Sequence, residues 1–108
     1  MDKIVFITGA SSGIGAGCAR KFASQGASLI LNARNVNKLS ALKEELEKQY
    51  GAKIYLLPFD VRDRKAATSA LESLPKEWQS IDILVNNAGL VIGTDKEQEG
   101  VWMSGILS

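Results

Sequence analysis

A chain of 108 residues, 45% apolar and 23% charged, is long enough for one domain that buries roughly 65% of its unfolded-state surface without staples. Its formal charge of +1 is dispersed, which argues against nucleic acid or an anionic membrane as the main partner. No histidine is present, so any metal site or acid/base mechanism has to be built without imidazole, and the usual serine-protease and zinc-hydrolase designs are excluded.

Met1-Asp2-Lys3 leads into the apolar run Ile4 to Ile7, too short for a secretory core or a membrane span, so a cytoplasmic chain is expected. Lys3 to Thr8 reads as a parallel strand buried on both faces. Thr8-Gly9-Ala10-Ser11-Ser12-Gly13-Ile14-Gly15 follows, and then Ile14, Cys18 and Phe22 recur at helical spacing, which predicts one apolar helix face. Cys18, the single cysteine, is expected as a small core residue rather than a reactive thiol.

The glycines therefore occupy a strand-to-helix turn. The first turn of a helix carries unpartnered N–H groups and the positive end of the helix dipole, so it attracts anions. Gly9 would permit the tight turn, Gly13 would leave room for a pyrophosphate, and Gly15 would let the helix pack closely, with Ser11 and Ser12 adding hydroxyl donors. The spacing Gly-x-x-x-Gly-x-Gly is one residue wider in its first gap than the commoner dinucleotide fingerprint. No Lys-Ser/Thr follows, which excludes a triphosphate P-loop. The alternative, a Gly/Ser-rich loop with no ligand, is weakened by the flanking strand and helix.

Gln25-Gly26 stops the first helix and Ser28 to Ala33 reads as a second strand. A second helix is expected from the N-cap Asn35 to Tyr50, with Leu39, Leu42 and Leu46 on one face. Lys53 to Phe59 forms a third strand leading into Asp60-Val61. A third helix runs from about Asp63 to Leu74, closed by Pro75, and Ile81 to Asn86 is the fourth strand. This alternation implies an α/β fold, a three-layer Rossmann-type doubly wound parallel sheet, truncated, with strand order 3-2-1-4. Ligands bind such sheets at the carboxyl ends of the strands where the winding reverses. The glycine turn and Asn86-Asn87-Ala88-Gly89 converge there.

These motifs, in this order and spacing, resemble the cofactor-binding half of the classical short-chain dehydrogenases/reductases over residues 3 to about 93. Leu74-Pro75-Lys76-Glu77-Trp78, Ile81 to Leu90 and Gly93 resemble more narrowly the NADP-dependent serine and 3-hydroxy-acid dehydrogenases that also reduce malonic semialdehyde. Trp78 itself is expected as a packing anchor beneath the third helix. The resemblance implies that Gly9, Ala10, Ser11, Ser12, Gly13 and Ile14 surround pyrophosphate and ribose. It further implies Asp60 on the adenine amine with Val61 beside it, and Asn87 against the adenosine ribose, while Ala88 and Gly89 are too small to block the cofactor. The plainer alternatives are a helix-capping Asp60 and a turn-forming Asn86-Asn87 pair, with Asn86 tying neighbouring strands.

The dinucleotide is chosen at the end of strand two, where NAD-preferring enzymes carry an acid. Here Ala33 stands in that position and Arg34 follows, with Asn35 beside it and Lys38 one turn on as a weaker candidate. A charge-assisted hydrogen bond to the extra phosphate is worth about 1.5–3 kcal/mol, roughly one to two orders of magnitude in favour of NADP. The alternative is a surface arginine at a helix entrance.

The resemblance also implies a catalytic serine and a Tyr-x-x-x-Lys. Tyr50 and Tyr55 are followed four positions on by Ile54 and Phe59, so no catalytic residue is named. The expected organisation is a dinucleotide-binding half-domain over residues 1–93 and a divergent tail over 94–108. The expected function is the NADP(H)-binding portion of such an enzyme, not itself catalytic. A noncatalytic nucleotide-binding module and a nonfunctional truncated product stand as alternatives. Missing helices would leave part of strands one and four uncovered, inviting self-association, unless Val101, Trp102, Met103, Ile106 and Leu107 fold back over that face.

Overall fold

A computed structural model describes residues 2–88 of the chain. Strand β1 (Ile4–Thr8) leads through the glycine turn into α1 (Gly13–Ser24). Next come β2 (Ser28–Leu31), α2 (Val36–Tyr50), β3 (Ile54–Leu56), α3 (Arg64–Glu72), a single 3-10 turn (Lys76–Trp78) and β4 (Ile83–Asn86). The strands form one parallel sheet in the order β3-β2-β1-β4, as the alternation of elements implies. Phe6 of β1 is paired with Ile30 of β2 and with Leu84 of β4. The tail 94–108, its expected fold-back and Gly89 lie outside the described residues.

The two sheet faces are covered unequally. Val5, Ile7, Leu29 and Leu31 project to one side, where α1 and α2 bury Ala16, Ala19, Ala23, Leu39, Leu42 and Leu46 against them. Phe6 and Ile30 project to the other, against Leu57, Leu74, Trp78 and Ile81, with Ala70 and Leu71 of α3 alongside. Trp78 is buried there, its ring 5.6 Å from that of Tyr55, the anchoring role expected of it. Val5, Phe6 and Ile7 of β1 are buried, whereas Ile83, Leu84 and Val85 of β4, at the edge of the sheet, are only half-buried.

The buried stripe of α1 differs from the expected one. Gly15, Ala16, Ala19 and Ala23 face the sheet, Cys18 and Phe22 pack at its margin, and Ile14 is 74% exposed. Small side chains let the helix axis approach the sheet, so alanines take the centre of the contact and larger groups the flanks. Strand ends are shorter than the apolar runs for local reasons. Pro58 has no N–H to extend β3 beyond the bond from Leu57 N to Leu31 O. Capping follows the sequence: Asn35 Oδ1 accepts from Lys38 N at 3.1 Å, and Asp63 Oδ1 from Ala66 N at 3.0 Å.

Candidate cofactor site

Every strand of the sheet ends at one open cavity of about 350 Å³. Its walls are Gly9 and Ser11 after β1, Asn32 to Arg34 after β2, Phe59 to Arg62 after β3, and Ala88 after β4. A shallower hollow formed by Ser11, Arg34, Asn35 and Lys38 adjoins it. Of the residues named from sequence, Gly9, Ser11, Arg34, Asp60, Val61 and Ala88 line this cavity and Asn35 the hollow, whereas Ala10, Ser12, Gly13, Ile14 and Asn87 line neither.

Gly9 adopts φ +63°, a region that only glycine enters freely, and a Cβ there would also crowd Asn87 Nδ2 at 2.9 Å. A Cβ on Gly15 would overlap the Gly9 carbonyl oxygen, so the turn folds back on its own helix. Gly13 has nothing within 4 Å of where a Cβ would stand, and that open space lies at the first residue of α1. Ser12 caps the helix: its Oγ accepts from Gly15 N at 3.2 Å and from Asn87 Nδ2 at 2.9 Å, and donates to Gly9 O at 2.9 Å.

The Ser12 hydroxyl donates to Gly9 O, whereas the Ser11 hydroxyl lines the cavity with no hydrogen-bond partner among the described residues. Ala10 is fully buried and its amide donates to Asn32 O at 2.7 Å, so it supports the turn from beneath. Ile14, by contrast, stands exposed beside Gly13 at the mouth of the helix.

Asn87 reaches 78 residues back along the chain to donate to Gly9 O at 3.1 Å, the contact by which the β4 turn and the glycine turn become one structure. Asn86 has the strand-tying place expected of it: its Oδ1 accepts from Thr8 Oγ1 at 3.2 Å, and Ala88 N donates to the same hydroxyl at 3.0 Å.

Asp60 does not cap α3; Asp63 does. The Asp60 carboxylate instead accepts from the Arg62 amide at 2.9 Å and from its Nε and Nη2 at 3.1 and 2.9 Å. Arg34 Nη1 stands 3.9 Å from the same group. The side-chain and backbone hydrogen bonds from Arg62 hold the carboxyl well below its ordinary range, at about 2. Val61 lines the cavity beside it.

Two residues at this site were missed in the sequence. Arg62 could have been found from the Asp-x-Arg spacing, which lets an aspartate accept from the amide two residues on. Asn32 carries a plainer signal, an amide within an apolar strand run. It is 1% exposed, and its Nδ2 donates to Leu57 O and Phe59 O at 3.1 Å each, while Oδ1 accepts from Gly9 N at 3.4 Å. It thereby pins the loops after β1 and β3 to the end of β2. Among the described residues no group of three His, Cys, Asp or Glu side chains could hold a metal ion. No helix there is long and apolar enough to cross a membrane.

Comparison with known proteins agrees with this architecture. The family model described as short chain dehydrogenase matches residues 3–103, running past Gly93, where the motif resemblance ends. An NADP-dependent 3-hydroxy acid dehydrogenase of Schizosaccharomyces pombe is 46% identical over 95 residues, covering 87% of this chain and 37% of that protein. The solved structure of serine dehydrogenase from Escherichia coli is 37% identical with a TM-score of 0.74, over 96% of this chain and 54% of that one. L-sorbose reductase from Gluconobacter frateurii, solved with NADPH and L-sorbose, is 35% identical with a TM-score of 0.75, over 91% of this chain and 36% of that one. The chain thus spans little more than a third of the length of the curated relative.

Proposed function

Because the chain belongs to the short chain dehydrogenase family, we propose that its cavity binds NADP(H) and forms the cofactor half of a cytoplasmic oxidoreductase. The substrates proposed for that enzyme are small 3-hydroxy acids, serine among them, or the matching semialdehydes, following the relatives it is similar to. The observation that carries the cofactor is Arg34: its guanidinium lines the same cavity as the glycine turn, and Ala33 stands where an NAD-preferring site would carry an acid.

The residues present fit the dinucleotide. The amides of Gly13 and Ile14 have no partner within the helix, and the open space at Gly13 suits a pyrophosphate. Arg34 supplies a forked donor for a 2′-phosphate, with Lys38 and Asn35 bordering the adjoining hollow. Asp60 and Val61 form the wall assigned to adenine, and Ala88 lines the cavity after β4; Gly89 is assigned the same small-residue role from the sequence alone. Asn87 is assigned to the ribose end through its hold on the turn.

Bound NADP(H) supplies or accepts the hydride. The residues of this chain bind and orient it. Neither tyrosine begins a Tyr-x-x-x-Lys, so no group within these 108 residues is assigned to move a proton, and the stretch is assigned binding rather than turnover.

Fluorescence titration with NADPH and NADH, on the chain and on Arg34→Asp, tests the reading. NADPH is expected to bind about ten- to a hundredfold more weakly to the variant, with NADH unchanged or tighter. Equal losses for both, or no saturation of the parent chain by NADPH, would overturn it. An assay with L-serine or 3-hydroxy acids is expected to show no turnover, and measurable turnover would overturn the assignment of binding alone.

A further inference from the structure

One carboxylate stands between two guanidinium groups on the cavity wall. Arg62 takes Asp60 in a fork, and its own backbone amide adds to the same contact, so side chain and main chain of one residue hold the acid. Arg34 stands further off, 3.9 Å from Asp60 Oδ2, with 67% of its side chain exposed. The geometry points to Arg62 as a specificity-determining residue: by occupying Asp60 it leaves Arg34 free to take a phosphate dianion and cancels a charge that would repel that dianion. The inference rests on the reading of this cavity as an NADP(H) site.

Asp60 and an incoming 2′-phosphate are like charges competing for one cation. With Arg62 removed, Arg34 is the nearest guanidinium to the carboxylate and would close on it. A phosphate would then have to displace that pairing and approach an unneutralised acid. NAD(H) lacks the phosphate and is indifferent to this competition. Arg62 therefore acts through Asp60 and Arg34, as a positioning residue.

The experiment compares NADPH and NADH dissociation constants for the parent chain, Arg62→Ala, Asp60→Asn and the double variant. Tighter binding of NADPH than NADH by the parent chain tests the cofactor reading, separately from the role of Arg62. Arg62→Ala is expected to lower the NADPH-over-NADH preference by about two- to fivefold, the range of an exposed ion pair, whatever change the two cofactors share. The double variant is expected to regain the lost preference, because the competing carboxylate has gone. A preference unchanged in Arg62→Ala, or a double variant as poor as Arg62→Ala, would overturn the inference. A cofactor-free readout is the NMR resonance of Arg34 Nε–Hε, expected to shift in Arg62→Ala and to return in the double variant. An unshifted resonance would overturn it as well.

Discussion

Replacing Asn32 tests whether a single buried amide holds the cofactor cavity open. Its Nδ2 is the donor for two backbone carbonyls, those of Leu57 and Phe59, in a position 1% exposed to solvent. Asn32→Ala strands both acceptors. A buried carbonyl left without a donor costs about 1–3 kcal/mol, and Phe59 is only half-buried, so the expected loss is about 2–4 kcal/mol. For a domain of this size that is a fall of roughly 10–25 °C in Tm.

Asn32→Asp is the sharper variant, because it keeps the shape and the acceptor for Gly9 N but aims a carboxylate at two carbonyls. Burial raises the folded-state pKa of that acid above its unfolded value near 4. The folded state then binds more protons than the unfolded state through the intervening window. The variant should accordingly lie closest to the parent chain below that window and fall away from it as pH rises through it. Urea unfolding followed by circular dichroism, at several pH values and referenced to the parent chain, measures the difference. A stability equal to that of the parent at pH 7, or a difference that does not change with pH, would refute the role given to Asn32.

Two glycines in the same turn should behave in opposite ways. Gly15→Ala forces a methyl into the Gly9 carbonyl and is expected to cost about 1–3 kcal/mol in a denaturation curve. Gly13→Ala has open space and should leave stability within about 0.5 kcal/mol while weakening NADPH binding; unchanged binding would count against a pyrophosphate there. Ser12→Ala removes the α1 cap at a cost of about 1 kcal/mol. Combined with Asn87→Ala it should show non-additive losses, because the two side chains share a hydrogen bond; strict additivity would refute that coupling. Asp60, held at about 2, stays ionised at any working pH, whereas a 2′-phosphate monoester protonates near 6. The NADPH-over-NADH preference should therefore fall as pH drops through about 6, and a ratio constant from pH 8 to pH 5 would argue against a phosphate on Arg34.

Short-range patterns sufficed for the architecture. Apolar runs of strand length, helical repeats, caps at Asn35 and the glycine turn after β1 each depend on neighbours within a few residues. Their strict alternation leaves few topologies other than a parallel sheet ordered β3-β2-β1-β4. The location of the cavity was legible for the same reason, since the sheet's reversal of winding puts the loops after β1 and β4 side by side.

The division of labour within the site was decided only by tertiary contacts. The Ser12 hydroxyl that caps α1 also accepts from Asn87, 75 residues further along the chain, a contact no local pattern signals. The hold of Asn32 on the loops after β1 and β3 depends on partners 23 to 27 residues away. In α1, helical periodicity allowed a face through Ile14, Cys18 and Phe22, yet the close approach of helix to sheet selects the alanine stripe and leaves Ile14 exposed. Local sequence sets which backbone shapes are cheap. Which polar groups are spent inside the protein and which remain for a ligand is set by packing between distant segments.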